Sequence, residues 1–117
     1  MSVFGCPARL APCAVLAACA IALPLPALAV PYVYADAILG VKSVEGCVQR
    51  ATMLANKHGF TSEHEVVDKS DFYAAHADLP MTLNVSCSSK IGTIVIAVAG
   101  MNNQETFAAF QKIYADF

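Results

Sequence analysis

"MTLNVSCSSKIGTIVIAVAG", residues 81–100, decides the fold. Met81, Leu83, Val85 and Cys87 alternate with Thr82, Asn84, Ser86 and Ser88. That period of two is the mark of a strand with one buried face. "SSKIG", residues 88–92, is short and built of turn residues, so it reads as a hairpin. "TIVIAVAG" returns as the next strand, with Ile94, Ile96 and Val98 on one face. Thr93, Val95, Ala97 and Ala99 take the other. A connection this short joins antiparallel strands.

Downstream, Asn102 can cap a helix, and Glu105 completes a capping-box pattern. Phe107, Phe110, Ile113, Tyr114 and Phe117 form its apolar stripe, the spacing of a helix that packs on a sheet. Upstream, "SVEGCVQR" opens another helix, predicted over about 43–58. Ser43 is the N-cap, Glu45 suits the positive end of the dipole, and Gly59 is the stop. Val44, Cys47, Val48, Ala51, Leu54 and Ala55 share its apolar stripe. "ADAILGVK", residues 35–42, alternates and reads as a first strand, with "VPYVY" leading into it. Val66 and Val67 mark a strand near 63–69; residues 70–80 either extend it or form a loop ending at Pro80.

The predicted order is β-α-β-β-β-α, in a single domain over 30–117. Each helix has one apolar face, so both lie on the same side of the sheet. The fold class is α+β, a two-layer sandwich with a mainly antiparallel sheet. Its other face, with Thr82, Asn84, Ser86, Ser88, Thr93, Val95, Ala97 and Ala99, is left uncovered, and Ile38 is expected there too. Small and apolar side chains on an open face fit a partner protein or a second copy.

The N-terminus carries a different message. The chain has 117 residues, 57% of them hydrophobic, and the excess lies before residue 30. Arg9, an uncharged run over 10–30, and the closing prolines and "ALA" at 27–29 read as a signal peptide, cut after Ala29. Pro12, Pro24 and Pro26 argue against a lasting membrane span. "LAAC", residues 16–19, offers an alternative, a lipoprotein anchored at Cys19; the apolar stretch that follows Cys19 argues against it. Cleavage after Ala29 takes 29 of the 117 residues and leaves 88. Arg9 leaves with them, so six basic residues face nine acids, and no basic cluster recommends nucleic acid. The mature protein is expected to be periplasmic or secreted.

Of five cysteines, Cys47 and Cys87 alone lie beyond the leader. One faces inward from the helix, the other from the strand beneath it, and an exported protein meets an oxidising compartment. A disulfide is expected; two buried thiols, or a catalytic or metal role, are the alternatives. No C-x-x-C, G-x-S-x-G or phosphate-binding glycine loop is present, so no catalytic residue and no cofactor is assigned. Residues 58–78 hold all three histidines and five acids. A metal or redox protein would draw on this segment or the cysteine pair, with His64, Asp68 and His76 as candidate ligands.

Cys47-Val48-Gln49-Arg50-Ala51 on a helix, a strand ending "LNVSC" and the strand "IVIAVAG" resemble small exported proteobacterial α+β domains of unknown function. The resemblance spans roughly 35–117. It implies the same fold and disulfide and brings no activity with it.

Overall fold

The computed structural model describes residues 29–117. The predicted leader, but for Ala29, lies outside the described residues, and Cys19 with it. The elements are β1 (Tyr32–Leu39), α1 (Val44–Lys57), β2 (Ser62–Val67), β3 (Asp71–Ala75), β4 (Met81–Ser88), β5 (Thr93–Gly100) and α2 (Asn103–Asp116). The order is β-α-β-β-β-β-α, so the α+β class holds with one strand more than predicted.

The additional strand, β3, comes from residues 70–80, read above as an extension or a loop. Its hairpin with β2 turns at Asp68 and Lys69, which take φ of 50° and 64°. Ser70 N–H donates to the Val67 carbonyl at 3.2 Å to close it. Turns with two left-handed residues usually announce themselves by Asn-Gly or Asp-Gly. Asp-Lys carries no glycine, so the sequence hides the turn.

The strands lie in the order β1-β5-β4-β3-β2, every neighbour antiparallel. After β1, at one edge, α1 carries the chain across the sheet to β2 at the other. Ser43 caps α1 by accepting from Gly46 N–H at 3.1 Å. Gly59, at φ 87°, ends it; a Cβ there would lie 2.6 Å from His76 Nε2. Asn102 caps α2 by accepting from Glu105 N–H at 3.0 Å.

Both helices cover one face of the sheet. Cys47, Ala51 and Ala55 of α1 and Ile113 of α2 share a core with Phe72, Leu83, Val85, Ile96 and Val98 of the strands. Phe60, which follows α1, is fully buried in it. Directly paired strand residues share a face, and this corrects the expected place of Ile38. Ile38 lies opposite Ile94, which lies opposite Cys87, so it belongs to the helix face and packs against the core. β1 also begins at Tyr32 and stops at Leu39, three residues earlier at each end than expected.

Candidate functional site

The Cys47–Cys87 disulfide joins α1 to β4, with 6.2 Å between Cα atoms. The two residues are 7% and 3% exposed. The bond therefore sits in the layer between helix and sheet, where no solvent thiol reaches it easily. Its role is to hold α1 on the sheet.

His64, Asp68 and His76 do not converge. His64 Nε2 lies 2.7 Å from the Phe60 carbonyl, and its ring meets Phe72 edge-on. Asp68 is in the β2–β3 turn. His76 Nδ1 accepts from the N–H groups of Asp78 and Leu79, both at 3.1 Å, and so is an acceptor in a loop, not a free ligand atom. Among the described residues no three His, Cys, Asp or Glu side chains are grouped to hold a metal.

His58 and His76 do line one cleft of about 410 Å³, between the C-terminal end of α1 and the flank of α2. Lys57, Lys112 and Glu105 complete its polar lining. Two of its basic side chains, Lys57 and His58, are already engaged. Asp116 lies 2.8 Å from Lys57 Nζ and 2.8 Å from His58 Nε2. The Lys57 hydrogen bond first, then that of His58, holds the Asp116 carboxyl below the usual carboxylate range. Arg50 donates to the Asp116 carbonyl at 2.7 Å. This network ties the ends of the two helices together and commits Lys57 and His58 to Asp116.

The face turned away from the helices is different. Reading across the register, Val33, Ala35, Ala37 and Leu39 of β1 stand beside Ala99, Ala97, Val95 and Thr93 of β5. Beyond them come Thr82, Asn84, Ser86 and Ser88 of β4. Tyr73 and Asp71 of β3 and Glu65 and Val67 of β2 complete the sheet. The β1–β5 half is an uncharged strip of small and branched side chains. Val33 is 61% exposed, Leu39 80% and Val95 39%. No described element covers it, because both helices lie on the other side. Charge on this face appears only in the β4–β3–β2 half, and Thr93 is the one hydroxyl of the β1–β5 half.

The sequence therefore identified the β4 and β5 part of this face, Val95 included. It missed Val33, Ala35, Ala37 and Leu39. The missing signal was orientation: both faces of β1 carry apolar residues, and alternation alone does not say which faces inward.

Among the described residues no helix is long and apolar enough to cross a membrane. No family model matches the chain, and no curated protein matches it.

Proposed function

We propose that the protein is an exported, non-enzymatic binding domain that acts through the open face of its sheet. The observation that carries this reading is the uncharged β1–β5 strip on a face no helix covers. Apolar area left in water is stabilised by a partner that removes it. Export is supported by the leader pattern of residues 1–29 and by the disulfide, a bond that persists in oxidising compartments. The metal or thiol-redox reading has less support: among the described residues no three ligand side chains are grouped, and the cysteines are bonded and buried.

A photo-crosslinking amino acid introduced at Ala97, on the open face, tests the binding reading in an exporting bacterial host. The control position is Gln111, exposed on α2. Adducts are expected at Ala97 alone, and Val95→Glu should abolish them. On a solvated face that substitution changes stability by about 0.5 kcal/mol or less, so the fold should survive. Equal adducts at both positions, or none at Ala97, would refute the reading. N-terminal sequencing of the same exported protein should find Val30; an acylated Cys19 would replace cleavage after Ala29 by lipid anchoring.

A further inference from the structure

We infer that β1 pairs with β1 of a second copy, antiparallel, about a two-fold axis through Ala35. The inference goes beyond the open face to the outer edge of β1, which no described strand pairs, and it does not require that the face bind anything.

The two edges of the sheet are unlike. β2 is short, is bulged between Ser62 and Glu65, and holds Glu63 at φ 52°. It also carries Glu63, His64 and Glu65. Bulges and charges are the usual means by which an edge strand avoids pairing. β1 has neither in quantity. It runs eight residues in unbroken register with β5 and carries Asp36 as its single charge.

The backbone directions follow from the loop after β1. Gly40 N–H donates to the Gly92 carbonyl at 2.7 Å, toward the β5 side. Backbone groups alternate along a strand, so Ile38, Asp36 and Tyr34 also face β5. Val33, Ala35, Ala37 and Leu39 aim their N–H and C=O groups outward. Ala37 agrees: its N–H donates to the Asp36 carboxylate at 2.7 Å, a side-chain stand-in for a missing strand.

A two-fold axis at Ala35 uses this edge well. Ala35 faces its own copy, and Val33 faces the second copy's Ala37, so the outer face meets small apolar against small apolar. On the helix side Tyr34 faces the second copy's Asp36, and Tyr32 faces the second copy's Ile38. An axis one residue later sets Asp36 against Asp36, with Cα atoms about 4.5 Å apart. Axes at Ala35 and Asp36 are the two that keep most of the eight-residue strand paired, and like charges directly opposite are destabilising, so between them charge selects Ala35. Exposed aromatics flank this edge: Tyr32 is 46% exposed and Phe107 42%. The Phe107 ring packs 4.9 Å from that of Tyr34, whose hydroxyl bonds Asn103. Aromatic residues are enriched at protein interfaces. In the pair, the two uncharged strips would meet along the axis as one surface.

The test is charge reversal on the axis, read by sedimentation equilibrium of the full chain expressed with its own N-terminal segment. Ala35 is exposed, so substitution there leaves the fold of one copy undisturbed. Wild type should show twice the monomer mass. Ala35→Lys alone and Ala35→Glu alone should each be monomeric, because like charges then face each other. Their mixture should recover the dimer mass. Val95→Glu lies on the open face away from the edge and should leave the dimer intact, whatever it does to crosslinking at Ala97. A monomeric wild type, or an Ala35→Lys dimer, overturns the edge pairing. Loss of the dimer by Val95→Glu but not by Ala35→Lys assigns association to the face instead and overturns it equally.

Discussion

Breaking the Cys47–Cys87 bond should bring this domain to the edge of stability. The bond closes a loop of 40 residues. In the chain-entropy account a loop of that length is worth about 4 kcal/mol, through the unfolded states the crosslink removes. A domain of this size holds roughly 4–13 kcal/mol in all. The loss is therefore a third or more of the total. In urea, with a slope of about 1 kcal/mol per molar for so small a domain, the midpoint should fall by about 4 M. Both sulfurs are buried, so the bond must be reduced in denaturant and the protein refolded with reductant present. Reduction lets the sulfurs move apart but removes no heavy atom from the core and opens no large cavity, so the crosslink is the main thing lost. Cys47→Ala with Cys87→Ala should be somewhat worse, since packed sulfur is also lost. The assay is urea unfolding followed by circular dichroism, oxidised against reduced, at one pH. A midpoint shift below about 1 M would refute the reasoning: the reduced chain would then have little more freedom than the oxidised one, or α1 would be held by its packing alone.

Gly100 ends β5 against the first turn of α2. A Cβ there would lie 2.7 Å from Met81 Cγ and closer still to Thr106 Oγ1, which donates to the Asn102 carbonyl at 2.5 Å. Gly100→Ala should cost about 1–3 kcal/mol by overpacking; thermal unfolding checks it, and Thr106→Ala in the same chain should recover part of the loss. Asp116 supplies a pH dependence. Its folded-state carboxyl titrates below its unfolded value, through Lys57 first and His58 second, so its stabilisation is present above the unfolded value and lost as pH falls through the folded one. The side chain is a third exposed and screened by solvent. Asp116→Asn should therefore lower the melting temperature modestly at neutral pH and flatten the fall in acid, and high salt should shrink the difference between the two proteins.

The order of legibility along the chain has physical causes. The β4–β5 hairpin was readable because both strands alternate cleanly and the turn between them is short. Both helices were readable at their N-termini, where Ser43 and Asn102 make the expected caps. The bonded pair was readable because one cysteine sat on each of two inward faces. β3 was not, since "DFYAA" is five residues long and its turn uses left-handed Asp68 and Lys69 in place of glycine. Ile38 went to the wrong face for a different reason. Its neighbours Ala37 and Leu39 are as apolar as it is, and only its partners Ile94 and Cys87, far along the chain, decide its side. The candidate site was half legible on the same grounds: β5 supplied Val95 and its neighbours, while the contribution of β1 depended on a pairing that no local pattern records.

That pairing also imposes a timetable on folding. β2, β3, β4 and β5 follow one another through short turns and can zip together as soon as each is made. Among the described residues β1 is the first strand, yet its one neighbour in the sheet is β5, with Tyr32 opposite Gly100. Pairing across so long a separation is slow, because the intervening chain must be closed before the contact brings any return. A chain halted before Thr93 has a first strand with nowhere to go, however complete the rest.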